Sequence, residues 1–127
     1  MLLVNAKAGT SQIHRMGLIA QEFIPKQNKV WQFMPGFDVL ISETFMARLS
    51  PIAREQVIYW GYYNSKTRTF VLSSDDDRFM NHSDEPNTYL VEDCVVAARD
   101  IHPGDEITCD YVKLVVLNVP ALNDHCA

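Results

Sequence analysis

With 127 residues, 47% of them hydrophobic and 21% charged, the sequence predicts one globular domain over residues 1–127 with a modest core. The net charge of −5 argues against electrostatic binding of nucleic acid and favours a basic polypeptide partner. The apolar runs are too short to cross a bilayer, and residues 1–20 resemble neither a signal peptide nor a transit peptide. We therefore expect no membrane partner and take the cytoplasm as the default location, with nuclear and secreted-effector roles left open.

Metal-ligating residue types are scattered along the chain. The cysteines and histidines are Cys94, Cys109, Cys126, His14, His82, His102 and His125. Because they include no C-x-x-C pair, the sequence predicts neither a disulfide framework nor a metal site. The acidic triplet at residues 75–77 resembles a metal-binding run, but a solvated loop is the favoured interpretation.

Short strands and turns are predicted for the first third of the chain. Residues 2–4 are apolar, residues 8–11 have the composition of a turn, and Met16–Ala20 is predicted to be extended. Residues 30–33 are rich in β-forming side chains and are followed by a Pro-Gly pair.

Two short helices are predicted next. Ser42 is placed to cap a helix that runs to about Leu49. Ser50 is then the predicted N-cap of a second helix, with Pro51 at its first position and Gly61 at its end.

The rest of the chain is predicted to form strands joined by loops. The predicted strands are Thr69–Leu72, Thr88–Val91, residues 94–98 and residues 106–111. The acidic residues 75–77 are compatible only with a loop or a helix start, and Pro103 with Gly104 predicts a type II turn. The fold class is therefore α+β, mostly β.

Two polar motifs in the C-terminal third carry the functional information. The first, NHSDEPN, occupies residues 81–87, and the second, GDEITCDY, occupies residues 104–111. Together and in this order they resemble the hallmark motifs of SET-domain protein-lysine methyltransferases. The segments RFMNHS at residues 78–83 and SQIHRMGLIA at residues 11–20 extend this resemblance over about residues 9–111.

The resemblance implies both a fold and an activity. The fold is a SET-type β-clip of several small curved sheets with a C-terminal pseudoknot, in which the first motif threads beneath the loop of the second. The activity is methyl transfer from S-adenosylmethionine to a lysine of a protein substrate, a lysine expected to lie in a basic segment.

The resemblance assigns cofactor binding to two segments. Asn81 and His82 hold the amino-acid end and the adenine edge of S-adenosylmethionine, while Arg15, Met16 and Gly17 present their backbone to it. Structural roles are the alternative: His82 as a buried hydrogen-bonding side chain and Gly17 as the residue of a tight turn.

Two residues of the second motif are assigned to the chemistry. Tyr111 is the catalytic candidate, because the resemblance places its hydroxyl near the transferring methyl group; a core tyrosine is the alternative. Cys109 lies in the substrate channel, where relatives carry Phe or Tyr. Since cysteine is smaller, a di- or trimethylated product is expected, unless Trp31 or Phe33 fills the space.

Other motif residues are predicted to be structural. Glu106 and Asp110 have the chemistry of an acid–base pair, but the resemblance assigns them hydrogen bonds beneath the knot. Pro86 and Asn87 are predicted to fix the threaded loop as turn residues.

Two departures from the family pattern keep a second function open. Arg15 stands where the family usually has the first glycine of G-x-G, so its side chain must point away from the cofactor or the loop must shift. No zinc-binding tail follows Tyr111, and the aromatic wall is predicted to come from a second copy or from Tyr59, Trp60, Tyr62 or Tyr63. Apolar side chains within residues 112–127 add the expectation of a homodimer. The alternative function is a catalytically silent SET-like module that binds a protein partner or the cofactor.

Overall fold

A computed structural model describes residues 1–64, 67–92 and 94–110 of the chain. Within these ranges the secondary structure consists of ten short strands, two α helices and one 3₁₀ helix. The strands are β1 (Ala6–Thr10), β2 (Met16–Ala20), β3 (Lys29–Gln32), β4 (Val39–Ser42), β5 (Tyr62–Asn64), β6 (Thr69–Leu72), β7 (Asn81–His82), β8 (Thr88–Val91), β9 (Cys94–Ala97) and β10 (Glu106–Cys109). The helices are α1 (Glu43–Met46), α2 (Pro51–Trp60) and the 3₁₀ helix Asp76–Phe79.

The strands form three small sheets, as the predicted mostly β fold requires. Their orders are β1-β2-β10-β7, β3-β9-β8 and β4-β6-β5. In the first sheet β7 runs parallel to β10, so that Asn81 lies opposite Thr108 and His82 opposite Cys109. This pairing puts the two polar motifs side by side. The predicted pseudoknot stays a prediction, because the segment after Asp110 lies outside the described residues.

Two hydrophobic clusters hold the sheets together. The larger one contains Ala6, Leu18, Ala20, Ile24, Val30, Trp31, Val71, Met80, Val95, Ala97, Ile101, Ile107 and Cys109. The smaller one packs the helices against the third sheet through Met46, Val57, Tyr63 and Phe70. Burial of these side chains supplies the main driving force for folding.

Serine caps fix where the two α helices begin, as the sequence predicted. The Ser42 hydroxyl accepts a hydrogen bond from the Phe45 amide at 3.0 Å, and the Ser50 hydroxyl accepts one from the Ala53 amide at 3.2 Å. Pro51 occupies the first turn of α2, and Gly61 follows its last residue. The first helix is shorter than predicted, since it ends at Met46. Neither described helix is long and apolar enough to cross a membrane.

The N-terminal strand was predicted at the wrong place. Leu2 makes only an isolated bridge to Trp31, whereas β1 begins at Ala6 and pairs with β2 along its whole length. Gly9 therefore lies within a strand and not in a turn. A Cβ atom at Gly9 would approach Ile19 Cγ1 to 2.8 Å, so this glycine allows close packing.

The acidic triplet forms a helix start, one of the two structures predicted for it, whereas the favoured interpretation as a solvated loop was wrong. The Asp75 carboxylate accepts a hydrogen bond from the Leu2 amide at 2.7 Å, and the Asp76 carboxylate accepts one from the Ala8 amide at 2.9 Å. Asp77 accepts a hydrogen bond from the Ser73 hydroxyl at 2.9 Å. The triplet opens the 3₁₀ helix and fastens the N-terminal segment to it.

Strands β4 and β5 were missed, and both pair with β6, which was predicted correctly. They contain only four and three residues, too few for a recognisable alternation of side chains. The predicted Pro-Gly turn is confirmed. The Asp105 amide donates to the His102 carbonyl at 3.0 Å, and Gly104 has a φ of +90°.

Buried Asn87 joins the two motifs. Its Oδ1 accepts a hydrogen bond from the Thr108 amide at 2.8 Å, and its Nδ2 donates to the Glu106 carbonyl at 2.9 Å. Its own amide donates to Thr108 Oγ1 at 3.2 Å. Asn87 therefore replaces a strand partner for β10, and the role predicted for it in fixing this loop is confirmed.

We predict that Asn87→Ala lowers the free energy of unfolding by about 2–4 kcal/mol, because the buried Thr108 amide and Glu106 carbonyl lose their partners. Urea denaturation measures the change. The matched control is Asn28→Ala, which removes an exposed side chain that bonds only to the adjacent Lys29 carbonyl, and whose effect should be below about 0.5 kcal/mol. Equal effects of the two substitutions would contradict the structural role of Asn87.

Candidate functional site

A hydrogen-bonded loop between β1 and β2 forms one side of the candidate site. The Ser11 hydroxyl lies 2.7 Å from Glu106 Oε1 and donates to this carboxylate. The same hydroxyl oxygen accepts hydrogen bonds from the amides of Ile13 at 2.9 Å and His14 at 3.1 Å. Ser11 thus shapes the loop and attaches it to β10.

The Asn81 amide joins this loop to both motifs. Its Nδ2 lies 2.9 Å from the Met16 carbonyl, 3.2 Å from the His14 carbonyl and 3.0 Å from Glu106 Oε2. Ser11 Oγ is 3.1 Å away. The Asn81 Oδ1 atom accepts no hydrogen bond from the described residues, so one face of the amide is open to a donor.

Gly17 is required by the close approach of Glu106. A Cβ atom at this position would lie 2.5 Å from Glu106 Oε2 and 3.1 Å from Ser11 Cβ. Any side chain here would displace the carboxylate that holds Ser11 and Asn81. Glycine therefore serves tight packing at this position.

Arg15 has a backbone conformation that favours glycine, since its φ is +41°. Its side chain is exposed to solvent. The backbone at this position is therefore left-handed, the conformation that the glycine usual in the family adopts readily. The arginine side chain fits here because it points into solvent.

His82 and Cys109 lie next to Asn81 on the paired strands β7 and β10. His82 Nε2 is 3.0 Å from Asp84 Oδ1, and His82 Nδ1 is 3.7 Å from Asp110 Oδ1. Cys109 Sγ lies 3.8 Å from the Asn81 carbonyl oxygen. Burial raises the pKa of the Cys109 thiol, which keeps it neutral at physiological pH.

A cavity of about 180 Å³ opens beside Cys109. It is lined by residues from all three sheets, α2 and the 3₁₀ helix, including the aromatic side chains of Trp31, Tyr59, Trp60 and Tyr62. Three of the four residues predicted to supply an aromatic wall are therefore present. Tyr63 is the exception, since it is buried in the smaller cluster and its hydroxyl bonds to Glu43.

Asp77 is the one carboxylate among the described residues that line this cavity. Its Oδ2 accepts a hydrogen bond from Ser73, whereas its Oδ1 is buried and has no partner among the described residues. Burial, chiefly, raises the pKa of the Asp77 carboxyl to about 7, and the nearby Asp75 and Asp38 carboxylates raise it further. The Trp31 indole Nε1 is also buried, and no residue in the described part of the chain accepts its hydrogen bond.

The structure brings most of the predicted site residues together. Arg15, Met16, Gly17, Asn81, His82 and Cys109 all lie at one end of the first sheet. Tyr111 falls outside the described residues, so its position stays a prediction. In the sequence nothing distinguishes Asp77 from Asp75 and Asp76, because the three identical residues differ only in their tertiary environment. The part played by the Ser11 hydroxyl was missed for the same reason.

The Asn81 Oδ1 atom can accept a hydrogen bond from the amino group of a ligand. The adjacent Met16 and Ile13 side chains are exposed and would offer apolar surface to the rest of such a ligand. Within the described part of the chain, no group of three or more His, Cys, Asp and Glu side chains is arranged to hold a metal ion.

The chain was compared with known protein families and solved structures. The SET domain family model matches residues 15–112. A candidate histone methyltransferase of Plasmodium falciparum is 22% identical with a TM-score of 0.63, over 87% of this chain and 95% of that chain. Polycomb Repressive Complex 2 of Chaetomium thermophilum, bound to an inhibitor, is 19% identical with a TM-score of 0.67, over 94% of this chain and 17% of that chain. A humanized mutant of that complex is 21% identical with a TM-score of 0.65, over 87% of this chain and 15% of that chain. At these identities the structures show a shared fold, and this chain spans only about a sixth of the matched chains of the complex.

Asp77→Asn should stabilise the protein in a pH-dependent way. Because the folded-state pKa of Asp77 is raised from 3.8 to about 7, the ionised carboxylate reduces stability progressively across that interval and most strongly above it. The variant should therefore exceed the wild type in unfolding free energy by up to about 4 kcal/mol at pH 8, and the difference should vanish near pH 4.

Denaturation at the two pH values measures this difference. The control is Asp76→Asn, a neighbouring carboxylate that lies outside the cavity and should not reproduce the pH-dependent gain. A gain from Asp77→Asn that is equal at both pH values would contradict a buried, titrating Asp77.

Proposed function

The chain belongs to the SET-domain family, and from this premise we propose that it is a protein-lysine methyltransferase that uses S-adenosylmethionine. The observation that carries the proposal is the convergence of Asn81, Gly17 and Cys109 beside an aromatic cavity. One side of this arrangement offers hydrogen-bonding groups for a cofactor, and the other offers an enclosed, apolar space for an alkyl amine.

The cofactor side is formed by the 11–16 loop and the first motif. When bound, S-adenosylmethionine supplies an electrophilic methyl group. Asn81 Oδ1 would accept a hydrogen bond from its amino group, and the His82 backbone on β7 would face its adenine. Glu106 and Gly17 act indirectly. The Glu106 carboxylate holds the Asn81 amide through the hydrogen bond at 3.0 Å, and Gly17, which has no Cβ atom, leaves the space that this carboxylate occupies.

The substrate side has to deliver a neutral amine. A lysine with a pKa of about 10.4 costs roughly 4–5 kcal/mol to deprotonate at pH 7. Transfer into an apolar cavity lowers this cost by disfavouring the ammonium form. The aromatic lining around Cys109 provides such a space, and orientation of the amine provides the remaining rate enhancement.

The net charge of −5 supports a substrate lysine in a basic segment. We propose a protein substrate, with no direct role for nucleic acid or membrane, and a cytoplasmic location. The proposed homodimer depends on residues 112–127, which lie outside the described part of the chain.

A catalytically silent module is the second candidate function. The observation that favours it is Arg15, which holds a left-handed backbone where relatives have glycine. Calorimetry with S-adenosylmethionine followed by radiolabel transfer to mixed basic proteins separates the two. A catalyst binds the cofactor and labels a protein, whereas a silent module labels none at any protein concentration.

Tyr111→Phe should abolish methyl transfer while leaving cofactor affinity within a few-fold of the wild type. The substitution removes only a hydroxyl that orients the amine, and such losses are commonly about 10²–10⁴-fold in rate. Radiolabel transfer and calorimetry measure the two quantities. The control is Tyr89→Phe, on the exposed face of β8, which should retain full activity. Turnover near the wild-type rate in Tyr111→Phe would contradict the assignment of Tyr111.

Cys109→Tyr should shift the product toward monomethyl-lysine, because a larger side chain with a hydroxyl narrows the space beside the amine. The wild type should form di- or trimethyl-lysine, as followed by mass spectrometry over a full time course. Cys109→Ser keeps the small volume and should retain the wild-type product. Monomethyl-lysine alone from the wild type, with excess cofactor, would show that Trp31 already fills the space.

A further inference from the structure

The aromatic cavity contains a buried carboxyl group, one oxygen of which is unused in the described part of the chain. Asp77 Oδ1 is buried and has no hydrogen-bond partner among residues 1–64, 67–92 and 94–110. Within the described chain no Lys, Arg or His side chain forms an ion pair with Asp77. A buried carboxylate without a partner is strongly unfavourable, so it requires a compensating role.

The basic residue next to Asp77 in sequence does not supply the missing partner. Arg78 also lines the cavity, but it is exposed to solvent and its guanidinium lies 4.8 Å above the Phe79 ring. The other groups whose charges act on Asp77 are the Asp75 and Asp38 carboxylates and the amino group of Met1. That amino group is already bonded to Asp38 Oδ2 at 2.6 Å.

The cavity is lined by both exposed and buried residues, with Asp77 and Cys109 among them. Tyr59 and Leu90 line it and are 62% and 39% exposed, whereas Trp31 and Cys109 are 1% and 6% exposed. A cavity of roughly 150 Å³ holds a benzene-sized guest, so about 180 Å³ accommodates four methylenes and a terminal nitrogen.

We propose that this cavity binds the substrate's primary alkylammonium group and that Asp77 is the carboxylate that pairs with it and accepts its proton. Two kinds of group support this assignment. The aromatic side chains of Trp31, Trp60 and Tyr62 line the cavity, and aromatic rings attract cations. Asp77 Oδ1 offers a charged hydrogen-bond acceptor that no described residue uses. The inference rests on the proposed methyltransferase function.

The proton transfer is feasible because burial acts on both partners. An apolar environment raises the pKa of a carboxyl group and lowers that of an amine, so the two values converge in one cavity. An N–H bond of the ammonium breaks and an O–H bond forms at Asp77 Oδ1. The nitrogen keeps the electron pair, which becomes available for methylation. Asp77 releases its proton to solvent after the product leaves.

The chain's own fluorescence provides a binding test that needs no methyl transfer. Both tryptophans of the sequence, Trp31 and Trp60, line the cavity, so intrinsic emission reports its occupancy. The probe is n-butylammonium, which has the length of a lysine side chain and stays cationic up to about pH 9. The comparison compound is 1-butanol, its neutral analogue.

The wild type should bind n-butylammonium at least about tenfold more tightly at pH 8 than at pH 5.5, because Asp77 ionises between these values. Binding of 1-butanol should be weaker at pH 8 and independent of pH. Asp77→Asn should lose the preference for the cation, whereas Asp76→Asn should keep it. A wild type that binds both compounds equally at pH 8, or an Asp77→Asn variant that retains the preference, would overturn the proposal.

Kinetics test the proton-acceptor step separately. The wild-type kcat/KM should rise with pH and level off above about pH 7, whereas Asp77→Asn should be about 10²–10⁴-fold slower at pH 7.5. The deficit of the variant should shrink about tenfold per pH unit as free amine becomes available. An unchanged pH profile in Asp77→Asn would rule out proton transfer to Asp77. Cation binding through Asp77 without methyl transfer to any protein would instead contradict the proposed function alone.

Discussion

The Glu106 carboxylate accepts hydrogen bonds from the Ser11 hydroxyl and the Asn81 amide, at sequence separations of 95 and 25 residues. It thereby joins the β1–β2 loop, β7 and β10, which share no continuous local structure. Because bonds to a charged group are stronger than neutral ones, this contact fixes the loop more firmly than backbone pairing alone. Position 17 has to be glycine for the Glu106 carboxylate to come this close, since a Cβ atom would occupy the space of the carboxylate.

Local sequence signals predicted the parts of the fold that local interactions determine. The serine caps of α1 and α2 satisfy amides three residues away, and β6 was recognised from its run of β-branched and apolar side chains between polar segments. Strand β1 was missed because its partner, and not its composition, makes it extended. Ala8 and Gly9 have the composition of a turn, but they pair with Leu18 and Gly17 of β2. The two polar motifs identified the site because their residues meet in one sheet, at β7 and β10.

The role of Asp77 in the cavity could not be predicted from the sequence, because it also depends on tertiary structure. Asp75, Asp76 and Asp77 are identical residues in one short run, yet two of them accept backbone hydrogen bonds and the third faces a cavity. Their different environments arise from tertiary structure. Asp75 and Asp76 meet the N-terminal segment, whereas Asp77 shares its cavity with Trp31, Val71 and Cys109, which are far apart in sequence. Burial of Asp77 lowers the stability of the folded protein and also raises the pKa of this carboxyl to about 7. A proton acceptor is most effective when its pKa lies near the pH at which the enzyme operates.

Asp77 and the aromatic rings respond differently as a bound amine gains methyl groups. Ring faces attract any alkylammonium, whatever its number of methyl groups, because the attraction depends on charge. The Asp77 carboxylate, in contrast, needs an N–H donor, and a trimethylated ammonium has none. Each of the first two methyl groups removes one N–H donor but leaves another for Oδ1, and the third methyl group removes the last donor. The ring contacts stay intact throughout, and the small Cys109 side chain leaves space for the added carbon. An amine that still carries a proton is held by both groups, whereas a fully methylated one is held by the rings alone and dissociates more readily.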